Sequence, residues 1–202
     1  MGDRFLADMP GWHVWPELKT GVDFMHVGEN YREHVTDCRP EDVFGGVRYD
    51  LGLLSPSGTI SGLIEIKRHW TQKHLEKKGD LPKLARALFY LGKPPHVQNG
   101  VKRGVLLESV FFGSFIWHDP KASDENALPL EVRYRDIESK VRAWWQEATT
   151  GGGAPIQREF ETRYNGPCPQ PKIRYERKAG KGSKEQWVAG AVCVCLSLNE
   201  DP

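Results

Sequence analysis

Asp50, Glu65 and Lys67 are the residues of this chain whose types and spacing point to chemistry. Glu65 and Lys67 stand two apart in the run Leu63-Ile64-Glu65-Ile66-Lys67, and Asp50 follows Tyr49 in a shorter apolar run upstream. Two carboxylates converging beside one ammonium suit a hard divalent cation with a cationic helper. Such a set fits hydrolysis of a phosphodiester. The metal would polarise the phosphate and acidify a bound water. The ammonium would orient that water or help deprotonate it, and would offset charge in the transition state. An acid-x-lysine triplet is also what the solvated face of an edge hairpin carries, so the surrounding elements must decide.

Val47 to Leu54 and Thr59 to Ile66 read as two short strands bounded by turn residues. Ser55-Pro56-Ser57-Gly58 between them favours a tight reversal. An antiparallel hairpin folded there brings Asp50 close to the level of Glu65. Side chains two apart on a strand share a face, so Glu65 and Lys67 point one way and Ile64 and Ile66 the other. The apolar isoleucine face is expected against the core. A carboxylate and an ammonium buried on such a strand are costly unless they are paired or bind metal.

Asp80 to Gly92 gives the clearest helix. Asp80 is expected at the N-cap with Pro82 in the first turn. Leu81, Leu84, Ala85, Leu88 and Leu91 recur at helical spacing, and Gly92 with Pro94-Pro95 ends the run. Gly104 to Phe112 then reads as a buried strand, parallel to a neighbour because a helix crosses over between them.

The order hairpin, helix, buried strand, with the acids on the hairpin, resembles the PD-(D/E)XK nuclease superfamily. The family motif is an Asp opening one strand and (Asp/Glu)-x-Lys on the next, matched here by Asp50, Glu65 and Lys67. Tyr49 replaces the proline that often precedes the Asp. The likeness covers roughly Gly28 to Gly113 and rests on a short motif. It implies an α/β fold, a restriction-endonuclease-like mixed central sheet flanked by helices; beyond Gly113 the alternating residues that follow Gly151-Gly152-Gly153 read on their own as a C-terminal β-rich extension. It also implies a Mg²⁺-dependent endonuclease, with Mn²⁺ able to substitute. Asp50 and Glu65 would be the metal ligands, and Asp50, Glu65 and Lys67 the catalytic set. In the family a further acid often comes from an upstream helix. Glu29 and Glu33, four apart and able to share a helix face, are the candidates here. Glu17 and Glu41 compete with them, and each also reads as a surface glutamate.

A formal net charge of +1 over 202 residues announces no global field for nucleic acid. The basic residues are nevertheless unevenly placed. Arg68, Lys73, Lys77 and Lys78 cluster just after Lys67, where they could hold a nucleic-acid backbone. A second cluster runs from Lys172 to Lys184 through Arg174, Arg177, Lys178 and Lys181, and such runs also mark solvated loops. DNA is the favoured partner. Two-strand cleavage by a one-site domain would call for a homodimer, and a partner protein is the other option. The alternative function is a non-catalytic nucleic-acid-binding or assembly module on the same fold.

Cys38, Cys168, Cys193 and Cys195 lack zinc spacing. Cys193 and Cys195, two apart on a strand, read as small hydrophobes. No signal peptide and no membrane-spanning stretch is read, so a cytoplasmic protein with no membrane association is expected. The domain reading is an N-terminal arm at 1–27, a nuclease-like core at 28–148 and a C-terminal β extension at 149–202. Leu130 to Ala148 reads as an amphipathic helix with Leu130, Tyr134, Ile137, Val141 and Trp144 on its stripe and Arg133 off it. Trp187 to Leu198 reads as a long strand that either belongs to the extension or adds to the main sheet. His69 and His74 lie near enough to Lys67 in sequence to assist proton transfer or to be plain surface. Glu108 either joins the acids or faces solvent at a strand end.

Overall fold

The computed structural model describes residues 11–19, 47–56, 59–92, 105–119, 121–123, 125–150, 168–181 and 186–198. They form strands β1 (His13–Lys19), β2 (Arg48–Leu54) and β3 (Ile60–Lys67), helix α1 (Asp80–Leu91), strand β4 (Val105–Trp117), helix α2 (Leu130–Thr150), and strands β5 (Lys172–Lys181) and β6 (Gln186–Ser197). One six-stranded sheet runs in the order β1-β2-β3-β4-β6-β5. The protein is thus α/β with a mixed sheet.

The expected hairpin is present: β2 and β3 pair antiparallel, with Leu51 opposite Ile64 and Gly52 opposite Leu63. The turn closes through Ser55 N–H to the Thr59 carbonyl at 2.8 Å, and Thr59 N–H returns a bond to Ser55 Oγ at 3.2 Å. β3 and β4 are parallel, as a crossover through α1 requires. The C-terminal strands are hydrogen-bonded into this same sheet: β6 lies antiparallel to β4 and carries β5 on its outer side. Of the two arrangements open to the last strand, it takes addition to the main sheet. The N-terminal arm contributes β1, which pairs antiparallel with β2.

Register shows which face is covered. Glu65, Phe112, Val194 and Ile173 form one row across four strands, and Lys67, Ser114, Val192 and Tyr175 the next. Lys83 of α1 meets Glu65, and Tyr134 of α2 stacks on Tyr175 with ring centroids 4.7 Å apart. Both helices therefore pack on the face that carries Glu65 and Lys67. This corrects the expectation that Ile64 and Ile66 face the core: Ile66 is 45% exposed, and Phe115, on the same open face, is 53% exposed. Alternation itself holds from Leu63 to Lys67, with Leu63 and Glu65 buried and Ile66 exposed. What the alternation does not carry is which of the two faces the helices cover. The one irregularity of β3 against β2 lies upstream, where Gly62 and Ile60 oppose Leu53 and Leu54, so that Ile60 and Leu63, three positions apart, are both fully buried.

Leu81, Leu84, Ala85 and Leu88 of α1 are buried, as their spacing predicts. The N-cap is Gly79, not Asp80, which is the first helical residue. A Cβ on Gly79 would lie 2.5 Å from the carbonyl oxygens of His74 and Lys73. Only glycine lets α1 start this close to the 3₁₀ turn Gln72–Leu75. In α2 the buried stripe is Leu130, Arg133, Ile137, Val141, Trp145 and Thr149. Arg133, expected off the stripe, is buried because its guanidinium donates to the Trp117 carbonyl at 2.6 Å. No described helix is long and apolar enough to cross a membrane.

Candidate catalytic site

The three residues singled out by type and spacing meet in space. Glu65 and Lys67, two apart on β3, both turn under α1, and Lys67 Nζ lies 2.8 Å from Glu65 Oε2. Asp50 reaches across from β2. Its Oδ2 accepts the Ile66 N–H at 2.6 Å, just beyond the Leu51–Ile64 pair, and stands 3.9 Å from Lys67 Nζ.

Two residues that sequence reasoning did not place here complete the cluster. Asp80, turned inward from the first position of α1, puts Oδ1 3.3 Å from Lys67 Nζ and Oδ2 2.8 Å from His74 Nδ1. Lys83 is three residues further along and shares that helix face. It contacts Glu65 Oε1, donates to the Arg48 carbonyl at 3.2 Å and lies over the Tyr49 ring at 4.9 Å. The available signal was the Asp80–Lys83 spacing, a charged pair beside the apolar stripe of the helix that follows the motif.

The electrostatics follow from burial. Glu65 is 1% exposed, and loss of water pushes its carboxyl above the usual range, against the pull of hydrogen bonds and charge from Lys67 and Lys83. Burial pulls Lys67 down, but its bond to Glu65 and the charges of Glu65, Asp80 and Asp50 outweigh this and hold it above the usual lysine value. The proton therefore stays on Lys67. For Asp80, burial acts upward and is overcome by the hydrogen bond from His74 and the two lysines, which bring it to about 2.

His74 is thus fixed by Asp80 and by the His69 carbonyl, 3.1 Å from its Nε2. His69 itself packs edge-on against Trp117 with ring centroids 4.3 Å apart and stays exposed. Arg68, Lys73, Lys77 and Lys78 are all exposed on the connection between β3 and α1, beside the cluster. Glu108 is half-buried at the opposite end of the β3–β4 ladder from Lys67, next to Ser109, and does not join the acids. Its carbonyl accepts the Leu198 N–H at 2.9 Å. Glu29, Glu33 and Glu41 lie outside the described residues, and Glu17 is on the edge strand β1.

Among the described residues no group of three or more His, Cys, Asp or Glu side chains is arranged to hold a metal ion. Two carboxylates suffice for Mg²⁺ when water and phosphate oxygens complete its shell. Asp50 and Glu65 fit that role, because a cationic group, the Lys67 ammonium, already lies within 4 Å of both. Comparison with protein-family models, curated proteins and solved structures finds no match to this chain.

Proposed function

We propose that this chain is a divalent-cation-dependent nuclease of restriction-endonuclease-like fold, acting on DNA. The observation that carries the reading is the convergence of Asp50, Glu65 and Lys67 from two strands at the start of α1. Asp50 and Glu65 would hold one Mg²⁺, with Mn²⁺ able to substitute. When bound, such an ion polarises the scissile phosphate and lowers the pKa of a coordinated water.

The chain's own residues supply the rest. Lys67 keeps its proton among three carboxylates, so it acts as a positive charge and hydrogen-bond donor toward the phosphate rather than as a base. Asp80, itself bonded to His74, faces Lys67 from the helix side. Arg68, Lys73, Lys77 and Lys78 offer exposed charge to the phosphate backbone beside the reacting bond.

The test is cleavage of linear, supercoiled, branched and single-stranded DNA, and of RNA, by the purified chain with Mg²⁺ or Mn²⁺. Asp50→Asn, Glu65→Gln and Lys67→Ala are each expected to lower the rate about a hundredfold or more. Absence of cleavage of every substrate by the wild type would overturn the proposal.

One observation favours a second reading, a non-catalytic nucleic-acid-binding or assembly module: both Glu65 oxygens are already engaged by ammonium groups. That closed network could serve only to tie α1 to the hairpin. Under this reading the wild type binds DNA with a salt-dependent affinity, cleaves nothing, and Glu65→Gln leaves that affinity unchanged.

A further inference from the structure

Lys83 and Lys67 both touch Glu65, yet their surroundings differ in kind. Among the described residues the partners of the Lys67 ammonium are carboxylate oxygens: Glu65 Oε2 at 2.8 Å, Asp80 Oδ1 at 3.3 Å and Asp50 Oδ2 at 3.9 Å. These are the oxygens a hard divalent ion prefers. The Lys83 ammonium holds Glu65 Oε1, and it is also fixed by the Arg48 carbonyl at 3.2 Å, the Tyr49 ring at 4.9 Å and Asp80 Oδ1 at 3.6 Å. Removing Lys83 from Glu65 would forfeit a backbone hydrogen bond and a cation–π contact, whereas removing Lys67 forfeits only interactions that an arriving cation replaces.

We propose that Lys83 is the fixed cation of this site, holding Glu65 Oε1, so that the site accepts one divalent ion at the place of the displaceable Lys67 ammonium. The proposal rests on the nuclease reading and deepens it. Two-ion sites place their ions about 3.5–4 Å apart across shared ligands. Here Lys83 withholds one oxygen of the carboxylate best placed to bridge, because Glu65 is the buried acid between β2 and α1. Charge argues the same way: with the Lys67 ammonium displaced, three carboxylates face Lys83 alone, a net of two negative charges that one divalent ion matches. Lys83 is a positioning residue in this scheme, and Lys67 is the group free to turn toward a phosphate.

Calorimetric titration of the full chain with Mn²⁺ at neutral pH tests the assignment. The wild type is expected to take one ion, Lys83→Arg one and Lys83→Met two. Lys67→Met is expected to keep a stoichiometry of one and bind about fivefold more tightly, since a competing charge about 4 Å away is gone. A Lys83→Met protein that takes one ion, a wild type that takes two or none, or a Lys67→Met protein that binds more weakly would each overturn the proposal. If Lys83→Met fails to fold, the wild-type stoichiometry and the direction of the Lys67→Met change decide. Cleavage assays on the same samples separate the two readings. A wild type that takes one ion and cleaves no nucleic acid removes the nuclease while leaving Lys83 as assigned. A wild type that cleaves with two ions bound does the reverse.

Discussion

Two helices cover the same face of the sheet, and each sets a cation against the strands beneath it, with different consequences. Under α2, the Arg133 guanidinium donates to the Trp117 carbonyl at 2.6 Å and lies 3.7 Å from Glu125, which is half exposed. A buried donor is satisfied by backbone, and a single acid on the rim balances its charge. Under α1, acids from β2, β3 and the helix itself outnumber the two lysines among them, and one of those acids is fully buried. A backbone-satisfied cation ties a helix down and does nothing more. A surplus of carboxylates drawn from separate elements, left 21–44% exposed at Asp50, Lys67, Asp80 and Lys83, is where the proposed function would seat another cation.

The sharpest way to break this contrast is to change one residue in each corner. Glu65→Gln keeps the shape of the side chain and both lysine contacts in part. It should cost about a hundredfold or more in cleavage while the melting temperature moves by a few degrees at most. Arg133→Met keeps length and apolar packing but leaves the Trp117 carbonyl without its donor. It should destabilise the fold by about 1–3 kcal/mol and leave cleavage per folded molecule unchanged. Denaturant melts and initial rates on the same preparations read both quantities. The same outcome from both variants would erase the distinction between a tether and a site.

How far each corner was legible in the sequence has physical reasons. Asp50, Glu65 and Lys67 could be read because the hairpin is local: a four-residue turn and period-two alternation bring them together without any long-range pairing. The crossover to β4 could be read from the helix between two apolar runs. The covered face could not, because alternation separates Glu65 and Lys67 from Ile64 and Ile66 without saying which side the helices take, and here they take the charged one. Lys83 and Asp80 were missed as site residues because nothing in a helical stripe says which of its polar neighbours lies over a strand. Their inward turn depends on Gly79 pressing α1 against the His74 carbonyl, a tertiary contact. Arg133 was missed for the same reason from the other side. A charged residue reads as exposed until a strand-end carbonyl is known to sit beside it.

A smaller effect separates the corners by pH. The Asp80 carboxyl is held at about 2 against an ordinary 3.8, so its contribution is fully present above about pH 4 and is lost as pH falls through 2. Because the group is partly exposed, solvent screening reduces that contribution to about 1 kcal/mol. Asp80→Asn should lower stability by that amount at neutral pH and flatten the acid limb of the stability curve between about pH 4 and pH 2. Urea melts across that range would show it, and an unchanged acid limb would mean that His74 and the two lysines do not hold the carboxylate in solution.

The smallest effect belongs to the α2 corner, at the pair that superficially most resembles the site. Arg177 of β5 and Glu131 of α2 form an ion pair, as Lys83 and Glu65 do, and both join a helix to a strand. The difference is water: Arg177 and Glu131 are each about half exposed, whereas Glu65 is sealed. An exposed pair gains little over its two hydrated ions and loses side-chain freedom in forming. Arg177→Ala should therefore leave the melting temperature within measurement scatter, and 0.5 M salt should erase any residual change, since the Debye length is then only about 4 Å. A large, salt-resistant loss would show that this corner, too, holds charge away from solvent, and exposure could then no longer be what sets the two helices apart.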